Sequence, residues 1–169
     1  NPQGDRELVK APGEMTVSPY ALAPDVTKRV TSDLKTDGNK LLLLSLDHQR
    51  RLGGSAFAQV LSQLGNEVPD VDDTARLKSL FQAIQEMVEA GAIVACHDVG
   101  DGGLVVALLE MAFAGDCGWN VEAEGEELYA CLFAEEAGVV VEVAEEDVVS
   151  RILERHGVLA TELGLVGGD

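Results

Sequence analysis

From Lys40 onward the chain alternates short apolar runs with longer apolar stripes, and each form predicts its own element. Leu41 to Leu46 is apolar but for Ser45, and its length suits a buried strand. Gly53-Gly54-Ser55 then opens a helical pattern in which Phe57, Val60, Leu61 and Leu64 share a face and Gly65 supplies a stop. After a polar loop, Asp72 or Asp73 caps a long helix whose apolar face is Leu77, Leu80, Phe81, Ile84, Met87 and Val88, ending at Gly91. Ile93 to Cys96 is a short buried strand, His97 to Gly103 a loop, and Leu104 to Ala114 a helix backed by Gly115. Strands are expected near Trp119 to Ala123 and Gly138 to Val143, followed by a helix from Glu146 to His156 and a strand near Glu162 to Val166.

This alternation predicts an α/β (α+β sandwich) domain in which helices cover a mixed sheet of four to six strands. The first forty residues differ in texture. They hold Pro2, Pro12, Pro19 and Pro24 around a short apolar segment, Met15 to Val17. Residues 1–39 therefore read as an irregular arm or the tail of a preceding domain, and 40–169 as the domain proper. The absence of an initial Met and the stop at Gly167-Gly168-Asp169 are expected to be cuts in a longer polypeptide.

Composition narrows the partners. A chain of 169 residues, 46% hydrophobic, is long enough for one sizeable core. Its formal net charge of -18 repels phosphate backbones and anionic lipid heads, so neither nucleic acid nor membrane is an expected partner. No stretch approaches the roughly 20 apolar residues of a membrane span. Cys96, Cys117 and Cys131 cannot all pair within the chain and form no Cys-x-x-Cys spacing, which predicts reduced thiols and a cytoplasmic setting. Glu122 to Glu127 is an acidic run, read as a solvated turn rather than a metal site.

The segment with chemical promise is His97-Asp98-Val99-Gly100-Asp101-Gly102-Gly103, between a predicted strand and a predicted helix. Its glycines permit positive φ and close backbone approach, while N–H groups at a helix start attract an anion. Asp98 and Asp101 offer hard oxygens, and magnesium on a nucleotide takes only one or two carboxylates beside phosphate and water. The plain alternative is that Asp101 caps the helix and the glycines serve a tight turn. The pattern is neither a dinucleotide fingerprint nor a P-loop.

His-Asp-Val-Gly-Asp-Gly-Gly-Leu, followed by Leu109-Glu110-Met111-Ala112-Phe113-Ala114-Gly115 and Cys117-Gly118, resembles the second half of the phosphoribosylformylglycinamidine synthase family. Leu52-Gly53-Gly54-Ser55-Ala56, Gln59-Val60, Gln63-Leu64-Gly65 and Leu132-Phe133-Ala134-Glu135-Glu136-Ala137-Gly138 extend the likeness, and so does the arm from Val17 to Leu34. The resemblance implies the C-terminal fold of the aminoimidazole ribonucleotide synthetase superfamily, with partial likeness to a ferredoxin-type arrangement. It also implies a ligase parent that amidates formylglycinamide ribonucleotide with ATP and with ammonia from a glutamine amidotransferase domain. This piece would contribute to an auxiliary nucleotide and magnesium site. On that resemblance Asp98 matches a magnesium-binding aspartate, and Gly100 falls where the family usually has a nucleotide-contacting serine. ATP or ADP and Mg2+ are the implied cofactors, the remaining synthetase and glutaminase domains the implied partners, and no residue here is assigned a catalytic role.

Other residues carry two readings each. His97 is placed to be a general base, or a hydrogen-bonded residue ending a strand. Cys96 adjoins it, but neighbouring strand residues face opposite ways, so core packing is the default. Ser55 caps a helix or helps Gly53-Gly54 meet an anion. Glu135 and Glu136 are a carboxylate pair, or a helix end exposed to water. The main alternative to a ligase segment is a non-catalytic scaffold or regulatory module of the same fold that has lost its ligand. A kinase-type relative, such as a selenide or thiamine-phosphate kinase, is the third option, against which the Phe113 to Gly118 stretch and the arm argue.

Overall fold

The computed structural model describes residues 15–23, 25–122 and 127–168. It contains a five-stranded sheet in the order β2-β4-β1-β5-β3. The strands are β1 (Lys40–Ser45), β2 (Ile93–Asp98), β3 (Trp119–Val121), β4 (Gly138–Val143) and β5 (Leu159–Val166). The helices are α1 (Ala56–Val60), α2 (Thr74–Ala90), α3 (Gly103–Gly115), α4 (Leu128–Phe133) and α5 (Glu146–His156). β1, α2, β2, β4, α5 and β5 follow one another as a split β-α-β of the ferredoxin type, with α3, β3 and α4 inserted between β2 and β4. The mixed strand directions expected from the alternation resolve differently. β1 and β2 do run the same way, but β4 lies between them, so every pairing of these strands is antiparallel. The one parallel link among the described residues is a single bridge, Thr31 to Ala95.

Alternation along the central strands sends side chains into two cores. Leu44, Val141, Val143 and Ile93 meet Leu80, Ala83 and Met87 of α2 and Val149, Ile152 and Leu153 of α5. Leu41, Ala95, Val140 and Leu163 meet Leu104, Ala107, Leu108 and Met111 of α3 on the other face. Burial on both faces is why β1 reads as a continuous apolar run rather than an alternating one.

The capping signals work as expected in α2. Asp73 is the cap: its Oδ1 accepts from the N–H groups of Ala75 and Arg76 at 2.8 and 3.3 Å, and Gly91 ends the helix at φ 66°. The predicted apolar face of α2 needs correction at its start, where Leu77 and Phe81 point to solvent, Phe81 at 60% exposure. Leu80, Ala83 and Met87 make the contact instead, because α5 packs along that stripe. The helix predicted to run to Gly65 stops at Val60. The chain then folds back, with Gly54 N–H donating to Leu64 O and Gly53 N–H to Glu67 O, both at 2.7 Å. Val60, Leu61 and Leu64 are left exposed. α4 is signalled in the sequence only by the reading of Glu135 and Glu136 as a helix end, and residues 123–126 of the acidic run lie outside the described residues.

Part of the stretch read as an arm is built into the domain. Leu34 is 2% exposed in the α3-side core, and its N–H donates to Met111 O at 3.2 Å. The following turn is held by Glu142, a carboxylate near the end of β4 with no exposed surface. Its Oε2 accepts from Lys35 N–H at 2.8 Å, and its Oε1 from Thr36 N–H at 2.9 Å and Asn39 Nδ2 at 2.7 Å. Lys35 Nζ pairs with Asp33 at 2.9 Å instead, so the donors to the buried Glu142 side chain are backbone N–H groups and an amide.

Replacing Glu142 with Gln keeps the shape but turns an NH2 toward a donor, leaving buried polar groups unpaired. Glu142→Gln should lower the unfolding free energy by about 2–4 kcal/mol, with the urea midpoint falling at unchanged slope. A midpoint within error of the unmodified chain would show that the carboxylate is not needed to hold the turn.

Candidate functional site

The segment singled out by its glycines lies where β2 ends. Val99 N–H donates to Gly138 O at 2.9 Å, which ties the loop to the start of β4, and Gly103 N–H donates to Gly100 O at 3.0 Å. Gly102 and Gly103 take φ of 88° and 74°, the left-handed region that favours glycine. A Cβ on Gly103 would lie 2.7 Å from the Phe133 backbone, so this glycine lets the start of α3 press against the end of α4. Gly100 is different. A Cβ there would meet only Asp98 Oδ2, at 4.0 Å, so neither backbone nor space demands glycine.

Asp98 ends β2 with its side chain 87% exposed. The His97 ring lies beside it, with Nδ1 3.8 Å from Oδ1. The carboxylate is open to a hard cation from outside. Asp101 is exposed as well, and it does not cap α3: the cap position belongs to Gly102, with no side-chain cap bond from that residue. Among the described residues no three His, Cys, Asp or Glu side chains cluster as a metal site.

His97 is held by its surroundings. Nδ1 lies 2.7 Å from the Asp98 carbonyl and Nε2 3.2 Å from Glu110 Oε2 of α3, so both ring nitrogens face acceptors. That is the hydrogen-bonded strand end rather than a free base. Cys96 packs on the opposite face, against the α2 and α5 core. Burial, with the Asp98 charge adding to it, pushes the Cys96 thiol up to about 11, which keeps it protonated at neutral pH.

Glu135 and Glu136, read from sequence as a water-exposed helix end, are fastening points. Glu136 Oε1 accepts from the N–H of Arg51 at 2.9 Å and its Nε at 2.7 Å, and Oε2 from Nη2 at 2.8 Å. Glu135 Oε1 accepts from Ala56 N–H and from Gly102 N–H, both at 2.8 Å. The Gly102 N–H, one of those expected to attract an anion, is therefore already taken by an internal carboxylate. Ser55 is fully buried and caps α1, its Oγ accepting from Ala58 N–H at 3.2 Å and donating to Leu52 O at 2.7 Å. Beside these loops a small cleft runs under α4, with Ser45, His48, Arg50, Val99 and Leu104 in its lining.

An α+β domain with an exposed carboxylate and a glycine turn at one sheet end is the class that fold and site define. Residues 36–169 match the family described as AIR synthase related protein, C-terminal domain, and the chain belongs to that family. It is 46% identical over 169 residues to a probable phosphoribosylformylglycinamidine synthase, chloroplastic/mitochondrial, of Arabidopsis thaliana, covering 96% of this chain and 12% of that protein. It is 43% identical to the phosphoribosylformylglycinamidine synthase of Homo sapiens, covering 95% of this chain and 13% of that protein. The chain thus spans about an eighth of the length of these relatives. Among solved structures, T. maritima PurL complexed with FGAR is similar at a TM-score of 0.65 and 23% identity, over 84% of this chain and 26% of that one. T. maritima PurL complexed with ATP gives 0.62 and 22%, over 85% and 24%. Thiamine-monophosphate kinase from Stenotrophomonas maltophilia K279a gives 0.53 and 15%, over 83% and 51%. At such identities the likeness is one of fold.

Burial alone would raise the Glu136 pKa, but the Arg51 hydrogen bonds and charge outweigh it and hold this carboxyl below its ordinary 4.5. A depressed folded-state pKa adds stability that is complete above the unfolded value and lost as pH falls through the folded one. Glu136→Gln should therefore lose less stability than the unmodified chain between about pH 6 and about pH 3 in urea titrations. Parallel losses in the two proteins would exclude the pair as a source of acid sensitivity.

Proposed function

We propose that this chain is a segment of a phosphoribosylformylglycinamidine synthase and contributes the Asp98 loop to a nucleotide and magnesium site. The parent would be an ATP-dependent carbon–nitrogen ligase of purine biosynthesis. It would convert formylglycinamide ribonucleotide to formylglycinamidine ribonucleotide with glutamine as amide donor. The observation that carries the reading is the 46% identity across 96% of the chain, in a family whose fold the loop shares. Nothing in the charge pattern favours nucleic acid as a partner. No helix among the described residues is long and apolar enough to cross a membrane. Three free thiols support a reducing compartment, and we keep the cytoplasmic reading on that ground, while the Arabidopsis relative is named for chloroplast and mitochondrion.

The residues suit magnesium in one respect. Asp98 presents an exposed carboxylate with no Lys or Arg paired to it among the described residues, and a nucleotide-bound magnesium takes only one or two such ligands. When bound, the ion would neutralise phosphate oxygens beside this turn. Asp98 would hold it, and the backbone at Gly100, with open space where a side chain would stand, would approach phosphate or its water. The other protein ligands would come from the remaining synthetase domains. A scaffold without ligand is the second reading, favoured by the Glu135 carboxylate already seated on Gly102.

Asp98→Asn in the full-length parent replaces one anionic oxygen by a neutral one at nearly constant shape. The purified variant should lose bound nucleotide and melt at a lower temperature, and wild-type occupancy with an unchanged melt would remove Asp98 from the site.

Between His97 and Gly103 the chain offers the ion only the carboxylates of Asp98 and Asp101, and it has no Lys or Arg there to meet phosphate. Calorimetry on the 169-residue chain should give a Kd for magnesium-ADP no better than about 1 mM, equivalent to about 4 kcal/mol. Micromolar binding would mean that the segment carries a complete site.

A further inference from the structure

The Asp98 loop has little of its own to hold it. Three of its residues are glycines, which lose the most conformational freedom on ordering, and its backbone bonds are the two from Val99 and Gly103. Nor does α3 carry a side-chain cap of its own from the Gly102 position. The missing acceptor comes from elsewhere in the chain: Glu135 Oε1 takes the Gly102 N–H at 2.8 Å. A carboxylate at that point also meets the positive end of the α3 dipole.

The same oxygen takes the Ala56 N–H at 2.8 Å, at the start of α1. One atom thus joins the Gly53 to Ala56 turn to the Gly100 to Gly103 turn. Glu135 is itself fixed from both sides. On one side Phe133 of α4 stacks on Phe57 of α1 with ring centroids 4.6 Å apart, and Ala134 is buried. On the other, Glu136 is clasped by Arg51 through three hydrogen bonds.

We infer that Glu135 is a positioning residue for the Asp98 loop, setting where the metal-binding carboxylate stands by clamping Gly102 to the start of α1. The inference rests on the proposed role of Asp98 and extends it to a residue that touches neither metal nor nucleotide. The clamp itself needs the accepting oxygen, and the charge only adds to it. A glutamine can supply that oxygen to both N–H groups; an alanine cannot.

The experiment has two arms. In the 169-residue chain, amide hydrogen exchange at Gly102 and Ala56 is compared among the unmodified protein, Glu135→Gln and Glu135→Ala, with circular dichroism as the check on folding. In the full-length parent, magnesium-ADP affinity and bound-nucleotide occupancy are measured for the same variants. Glu135→Ala should speed exchange at both amides together and weaken magnesium-ADP about tenfold or more, as loss of the two part-buried hydrogen bonds that position the turn implies. Glu135→Gln should restore both readouts to near the unmodified values. If Glu135→Ala does not fold, Glu135→Gln decides alone: weakened nucleotide binding in that variant with the two amides still protected contradicts the clamp. Unchanged nucleotide affinity in a folded Glu135→Ala variant, where Asp98→Asn does lose nucleotide, overturns the inference while leaving the Asp98 reading intact. Loss in neither variant overturns the Asp98 reading itself and the inference with it, while joint exchange at Gly102 and Ala56 still reports whether the clamp exists.

Discussion

The contact between Arg51 and Glu136 is the tie on which the loops around the Asp98 turn depend. A planar guanidinium that meets both oxygens of one carboxylate fixes orientation as well as distance. Arg51 uses its remaining donors on Asp70 O at 2.9 Å and Asp72 Oδ2 at 3.2 Å. The β1–α1 connection, the loop before α2 and the α4–β4 connection are thereby drawn to one side chain. Its guanidinium is correspondingly harder to deprotonate, with the Glu136 hydrogen bonds the largest cause. Glu135 follows directly in the chain, so whatever orients Glu136 also aims its neighbour at Gly102.

That arrangement is possible because the sheet is covered on both faces. With α2 and α5 on one side and α3 on the other, the ends of β1, β2 and β4 are rigid posts from which loops can be hung. The cost of such a core is that a polar group inside it must find partners. Glu142 shows how this is met. It lies opposite Leu41 and Ala95 in the register, on the α3 side, and its three donors all come from the turn before β1. A residue that would be a defect in the strand becomes the anchor for the chain that enters it.

Elements whose signal is local were legible in the sequence. β1 and the body of β2 follow from their apolar runs, α2 from Asp73 and Gly91, and the Asp98 turn from its glycines. What was not legible depends on contacts between distant segments. α4 is six residues long and has no side-chain cap, so it shows neither period nor start. Its place is set by Phe57 and Phe133 stacking, which no spacing reveals. α1 was read too long because Gly53 needs the close approach of Glu67, where a Cβ would lie 2.3 Å from the carbonyl oxygen. Glu135 and Glu136 carry the composition of a solvated helix end, and their partners lie far away in the chain. For Glu142 a signal existed: a lone acid inside Val139-Val140-Val141-Glu142-Val143 requires buried donors.

On the proposed reading of Asp98, the charge pattern accounts for this turn being only one part of a site. Five of the positive groups among the described residues are committed to ion pairs: Lys28 to Glu89, Lys35 to Asp33, Lys40 to Glu146, Arg51 to Glu136 and Arg155 to Glu86. The turn itself presents Asp98 and Asp101, with Glu135 seated behind it. Phosphate approaching such a surface meets like charge unless a divalent cation arrives with it, since fixed dipoles from a few N–H groups offset only a fraction of a formal charge. A cation held by one carboxylate keeps most of its water and leaves easily. Affinity then has to come from ligands on a second surface that faces Asp98. On the proposed reading, the features of this chain that look like deficiencies of a nucleotide site, its two exposed carboxylates and its lack of a basic residue in the turn, are those expected of one half of a shared site. In such a site the domain supplies a rigid, well-aimed oxygen and the facing domain supplies the rest.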